Sequence, residues 1–147
     1  MTDKKKAVAV LGLGRFGTYT VKELFENGMD VLIADKREET VNRLSEFADI
    51  AVTCDLSDPD AVEKLGLGNM GTVIVAMGCS MEASITCTMI AKEAGVHRVI
   101  AKASSERMGK VLKKIGADEI IFPEKEMAIF MVDNILRKDR KKSETAD

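Results

Sequence analysis

Ala7-Val8-Ala9-Val10-Leu11-Gly12-Leu13-Gly14-Arg15-Phe16-Gly17 is the stretch that decides the fold. Its first five residues are all apolar and too few for a buried helix, so they read as a strand covered on both faces. Three glycines follow at once in a Gly-x-Gly-x-x-Gly spacing, and the residues from about Arg15 to Asn27 read as a helix that Gly28 ends as a C-cap. That glycine spacing recurs by chance in many chains. Between a strand and a helix it has a mechanical meaning: Gly12 makes the tight turn, Gly14 lets backbone approach a pyrophosphate, and Gly17 lets the helix pack on the strand. The amides of the helix N-terminus then face the phosphates.

Outward from this turn, apolar runs alternate with helical patterns along the whole chain, which is the signature of βα units and a parallel sheet. Strands are expected at Val31 to Ala34, Ile50 to Thr53, Thr72 to Met77, Arg98 to Ala101 and Glu119 to Phe122. Helices are expected over Glu38 to Ala48, after a Ser57-Asp58-Pro59 start, over Ser80 to Ala94 and over Ser105 to Ile115. Six strands with crossover helices make an α/β, Rossmann-like doubly wound parallel sheet in the order 3-2-1-4-5-6, with its ligand crevice beside the first strand. Residues 7–136 form one such domain, with a basic tail at 1–6 and a charged tail or linker at 137–147.

The crevice dictates the candidate site. Asp35 stands 18 residues after Gly17 at the end of the second strand, where a carboxylate accepts hydrogen bonds from both hydroxyls of an adenosine ribose. That charge repels a 2'-phosphate, although Lys36 and Arg37 flank it. Arg15 at the helix N-terminus opposes the helix dipole unless a phosphate sits there. Cys54 and Asp55 are placed to border the adenine, Ala76, Met77 and Gly78 the phosphates and proximal ribose, and Lys102 the ligand side of the fifth strand. For Asp55 a turn or capping role competes with ligand contact, and for Met77 core packing does.

Composition narrows the functions. The chain has 147 residues, 46% of them hydrophobic and 31% charged, with a mean hydropathy of -0.03. At this size roughly 68% of the unfolded surface can be buried, so no disulfide is required. Cys54, Cys79 and Cys87 are an odd number without a CxxC spacing, and His97 is the only histidine, so no zinc set is expected. Aromatic residues are 4% with no Trp, which excludes a base-stacking platform. From Ala7 to Leu136 there are 14 basic and 20 acidic residues, a net of -6, while the ends carry +4. An acidic body repels a phosphate backbone, so no nucleic-acid partner is expected. No apolar run reaches the roughly 18 residues of a membrane span, and Lys4 to Lys6 precede a strand rather than a signal peptide, so a cytoplasmic protein is expected.

Chemistry is missing from this inventory. A dehydrogenase needs a general acid or base near the reacting atom. His97 falls at the far end of the sheet, and Cys79 has no basic partner, so a regulatory role is favoured over an enzyme. The alternative is a small NAD-dependent oxidoreductase or the nucleotide-binding half of one. Beyond Pro123-Glu124-Lys125-Glu126, a strong helix start, eight of the ten residues Met127 to Leu136 are apolar. Such a helix is expected to be buried on two sides, by its own sheet and by a second subunit.

The residues together resemble a known family. VLGLGRFG (Val10 to Gly17) with Asp35, VIVAMG (Val73 to Gly78) followed by Glu82-Ala83-Ser84, VIAKA (Val99 to Ala103) and KIGADEIIFPEKEM (Lys114 to Met127) are similar to the N-terminal RCK (TrkA-N) domain of Ktr/Trk-type potassium-transport regulatory subunits. The likeness runs from about Ala7 to Leu136. It implies a cytosolic regulatory protein that binds ATP, ADP or NAD(H), forms homodimers that assemble into an octameric ring, and gates a membrane-embedded potassium channel or transporter. By residue-level match, Gly12, Leu13, Gly14, Arg15, Phe16 and Gly17 would hold phosphates, Asp35 and Lys36 the ribose edge, Cys54 and Asp55 the adenine, and Ala76, Met77, Gly78 and Lys102 the remaining wall. Glu124 matches an acidic residue near the subunit interface that helps hold a divalent cation, and a first-turn helix acid is its other reading. Family members usually continue into a second RCK subdomain, so residues 137–147 are expected to be either a linker toward it or the tail of a single-domain form.

Overall fold

The apolar run Ala7–Leu11 forms strand β1, buried along its whole length. Its side chains divide by parity: Ala7, Ala9 and Leu11 enter one core, Val8 and Val10 the other. The structure is a computed structural model that describes residues 4–145, with side chains described through Lys138.

Beyond β1 the chain builds α1 (Arg15–Glu26), β2 (Asp30–Asp35), α2 (Glu38–Leu44), β3 (Ile50–Thr53), α3 (Pro59–Glu63), β4 (Thr72–Val75), α4 (Met81–Glu93), β5 (Arg98–Lys102), α5 (Glu106–Ile115), β6 (Glu119–Ile121) and α6 (Pro123–Thr145). The sheet is parallel throughout, in the order β3-β2-β1-β4-β5-β6. Val21 of α1 with Val41 and Leu44 of α2 covers one face, against Val8, Val10, Ile33 and Ile74. Val62 of α3, Cys87 and Ala91 of α4, and Leu112 of α5 cover the other, against Leu11, Val73 and Val99. The expected doubly wound α/β fold is therefore present.

Local chemistry sets the ends of the elements. Asp58 caps α3 by accepting from the Asp60 N–H at 3.1 Å, Ser80 caps α4 through the Ala83 N–H at 3.2 Å, and Ser105 caps α5 through the Met108 N–H at 3.1 Å. Some boundaries differ from the sequence expectation. Strand β4 stops at Val75 because Ala76 to Gly78 turn out toward the crevice, and α2 tightens into a 3-10 turn over Ser45–Phe47. The largest difference is α6. It carries the charged residues beyond Leu136 in the same helix, through Thr145. Nor does it lie back on the sheet: Met127, Ile129, Phe130, Met131, Val132, Ile135 and Leu136 are all 46–61% exposed. The first turn is tied down instead, Lys125 Nζ standing 3.0 Å from Glu106 Oε1 and the Phe122 N–H donating to Glu126 Oε2 at 2.7 Å. Among the described residues β6 is the edge strand, and α6 follows it.

Candidate functional site

Strand register assembles the site. Leu11 pairs with Ala34 on one side and Val75 on the other, so the residues that follow them, Gly12, Asp35 and Ala76, emerge side by side. Asp35 in turn pairs with Thr53, and Val75 with Ala101, which brings Asp55 and Lys102 to the same end of the sheet. There they line a cleft of about 570 Å³ at the switch point between the two halves. Of the residues expected from the sequence, Gly12 to Phe16, Asp35, Lys36, Asp55, Ala76 to Gly78, Lys102 and Glu124 line it. Two do not. Gly17 lies beneath the turn, and Cys54 packs against the core. A smaller cavity of about 260 Å³ at the opposite end, lined by residues such as Ile50, Leu65 and Met70, is remote from the glycine turn, and its Asp49 is engaged with the Val31 N–H at 2.8 Å.

Each glycine in the turn has a distinct physical reason. Gly12 has φ +97°, and a Cβ on it would lie 2.6 Å from Met77 Sδ. A Cβ on Gly17 would lie 2.1 Å from the Gly12 carbonyl oxygen, so α1 approaches the turn more closely than any side chain permits. Gly14 is the opposite case: nothing lies within 4 Å of its Cβ direction. It is the N-cap residue of α1, makes no side-chain cap and is followed by no acid in the first turn. The first-turn amides of α1 have no intrahelical acceptors, and no capping side chain serves them. Their positive end opens on the cleft beside the exposed Arg15. Bare amides, free space at Gly14 and three cations (Arg15, Lys36, Lys102) are a donor set that fits phosphate.

Asp35 is 5% exposed and already partnered. Its Oδ2 accepts from the Leu13 N–H at 2.8 Å and from Arg37 Nη2 at 3.2 Å, and its Oδ1 accepts from the Arg37 N–H at 2.8 Å and Arg37 Nε at 3.1 Å. Burial pushes the carboxyl up, but the hydrogen bonds from Arg37 and Leu13, with the guanidinium charge, outweigh it and hold Asp35 below the ordinary carboxylate value. Arg37 is thus a site residue beyond those assigned from the sequence. The available signal was its position two residues after Asp35, within reach of that carboxylate.

The rest of the wall is more exposed. Lys102 Nζ stands 5.9 Å from the centroid of the Phe16 ring. Asp55 holds a tight turn, accepting from Ser57 Oγ at 2.6 Å and the Ser57 N–H at 2.9 Å, and these bonds lower its pKa while it still borders the cleft. Asp55 thus holds a turn and borders the cleft at once. Met77 likewise serves packing and site, lying under Gly12 and in the cleft wall. Ser80 and Cys79 complete the rim, where Glu124 enters from the first turn of α6. Among the described residues no three His, Cys, Asp or Glu side chains converge as a metal site.

The family profile of the TrkA-N domain matches residues 8–123. The chain belongs to the TrkA-N domain family. It is 46% identical over 132 residues to the Ktr system potassium uptake protein C of Bacillus subtilis (strain 168), covering 90% of this chain and 60% of that protein. To the Ktr system potassium uptake protein A of Vibrio alginolyticus it is 41% identical over 138 residues, covering 94% and 63%. The TrkA-N chain thus spans about three fifths of the length of these relatives. Among solved structures, it is similar to the TrkA-N domain of the inner membrane protein ybaL from Escherichia coli, with TM-score 0.77 and 19% identity over 90% of this chain and 98% of that one. It is also similar to the Shewanella denitrificans Kef CTD in AMP bound form, with TM-score 0.71 and 17% identity over 89% and 79%. A third likeness is to the GsuK channel bound to NAD, with TM-score 0.68 and 12% identity over 81% and 22%. At these identities the solved structures establish the fold. Among the described residues no helix is long and apolar enough to cross a membrane.

Proposed function

We propose that this TrkA-N domain binds an adenine nucleotide, ATP, ADP or NAD(H), across the cleft and serves as a regulatory part of a potassium uptake system rather than as an enzyme. The observation that carries the reading is the bare N-terminus of α1, with open space at Gly14, facing a buried carboxylate at the end of β2. A nucleotide offers complementary groups: anionic phosphates for the amides and Arg15, and a ribose diol for Asp35. Asp55 borders the adenine edge, and Ala76 to Gly78 with Lys102 close the remaining wall. The names of the relatives, potassium uptake proteins, and of the AMP-bound and NAD-bound neighbours support this reading.

In this reading the exposed apolar side of α6 joins a second copy, the dimers assemble into a ring, and the ring docks on a membrane-embedded potassium channel or transporter from its cytoplasmic side. Glu124 would supply one carboxylate to a divalent cation near that subunit interface. Regulation requires a ligand with unequal affinity for two arrangements of the assembly. Arg15 is the proposed discriminator, since an added phosphate reaches it and a shorter chain of phosphates does not.

The test is a panel of melting temperatures with AMP, ADP, ATP, NAD, NADH and NADPH. A ligand at 100 times its Kd stabilises by about 2.7 kcal/mol, a shift of several degrees in a domain of this size. At least one adenine nucleotide is expected to raise the melting temperature, and Arg15→Ala to narrow the difference between ADP and ATP. No shift with any of the six would overturn the proposal.

A further inference from the structure

Resting on the nucleotide reading above, we infer that Arg37 is a specificity-determining residue of the ribose seat: its guanidinium occupies the carboxylate of Asp35 that a ribose diol must take. A carboxylate has about four lone-pair positions. On Asp35 all four are filled: the Leu13 and Arg37 backbone N–H groups hold one position on each oxygen, and Arg37 Nε and Nη2 hold the other two. The backbone donors are fixed by the chain. The side-chain donors are replaceable, because the Arg37 side chain is 54% exposed while the Asp35 side chain beneath it is 8% exposed. Arg37 Nη2 also reaches the Leu13 carbonyl at 3.3 Å, so the arginine spans the space between the ends of β1 and β2. Two vicinal hydroxyls can donate the two bonds that the fork gives up, leaving the buried carboxylate with a full set of donors. A ligand without the diol cannot make that exchange.

The inference has a sign that ordinary electrostatics does not. Removing a cation from the wall of a cleft that receives polyphosphate weakens binding by loss of attraction. If Arg37 competes for Asp35, removing it tightens binding of a diol-bearing nucleotide. For a pair whose arginine is half-exposed, the upper end of the surface-pair range corresponds to roughly a fivefold change in Kd.

Calorimetric titration of the full chain with ADP and with 2',3'-dideoxy-ADP tests it, using wild type, Arg37→Gln and Arg37→Lys. Arg37→Gln is expected to bind ADP roughly fivefold more tightly than wild type and dideoxy-ADP no more tightly. Arg37→Lys keeps the charge but not the fork, and is expected to give a smaller gain for ADP; it carries the test alone if the glutamine variant does not fold. Equal or weaker ADP binding by the variants, or an equal gain for dideoxy-ADP, overturns the inference and leaves the nucleotide reading intact. Absence of ADP binding in wild type and variants overturns it as well. If no other nucleotide raises the melting temperature either, the nucleotide reading falls with it.

Discussion

A Cβ at Gly17 would meet a backbone carbonyl 2.1 Å away, whereas one at Gly14 would meet nothing. The two glycines of one motif therefore separate stability from binding. Gly17→Ala forces α1 off β1 and is expected to cost about 1–3 kcal/mol, the range of an overpacked core. Gly14 has φ -74°, which does not require glycine, but alanine is a poorer N-cap, so Gly14→Ala is expected to cost only about 0.5–1 kcal/mol. Its methyl group fills the phosphate space, and nucleotide binding should weaken by about tenfold, or about 1.4 kcal/mol. Urea melts and nucleotide titrations of both variants read the two effects, and a Gly14→Ala that loses more stability than Gly17→Ala would contradict them. Asp35 offers a pH test. Its folded pKa lies below the ordinary 3.8, so it contributes stability in full above that value and loses it as pH falls through the lower folded value. The stability gap between wild type and Asp35→Asn should therefore be constant near neutrality and shrink below about pH 4; a gap that stays at its neutral-pH size throughout the acid range in which both proteins fold would contradict the assignment. Asp35 was legible in the sequence from its spacing, but its occupancy by Arg37 was not, since a side-chain fork is one rotamer among many. Cys54 packs against the core and not in the cleft wall for a related reason. Adjacent residues at a strand end alternate in direction, so Asp55 faces the cleft while Cys54 faces the core.

Among the elements, α3, α4 and α5 were legible at their starts because Asp58, Ser80 and Ser105 are good caps standing where caps are needed. Helix α1 begins on Gly14 without such a cap, as α2 does on Arg37, and the first turn of α1 opens on the cleft. The apolar pattern of α6 was also legible, but its direction was not. A helix apolar around most of its circumference packs equally well on its own sheet or on another chain, and the pattern does not choose between them. The structure leaves Phe130 60% exposed and Met127 61% exposed in the single chain. If α6 is the subunit interface, a charge at Phe130 is buried unpaired on association and costs several kcal/mol. Phe130→Asp should sediment as a monomer where wild type sediments as a dimer, with the nucleotide-induced melting shift retained. A wild-type monomer at micromolar concentration would contradict that role for α6.

For the whole molecule, the sheet order followed from the alternation of apolar runs and crossovers, because parallel neighbours need a helix between them and the crossover rules leave few topologies. The three cysteines report how that architecture partitions solvent. Cys87 is buried between α4 and the sheet, its thiol pushed up to about 12 by desolvation first and by Cys54 second, and Cys54 is raised as well. Cys79 is exposed on the cleft rim. At neutral pH the native protein should show one fast-reacting thiol and the denatured protein three, since the thiolate is the reactive form. A bound nucleotide should slow the fast one, and an equal rate with and without nucleotide would place the ligand away from this rim.

Helix α6 begins at the cleft, where Glu124 lines the wall, and continues unbroken for 23 residues. At about 1.5 Å per residue that is a rod of about 34 Å whose hydrogen bonds and ion pair to the domain, among the described residues, lie in its first turn. A rod held at one end is a mechanical lever. A tilt of about 5° at the cleft would sweep the far end through about 3 Å. Any partner bound at that far end would move several times further than the first turn does.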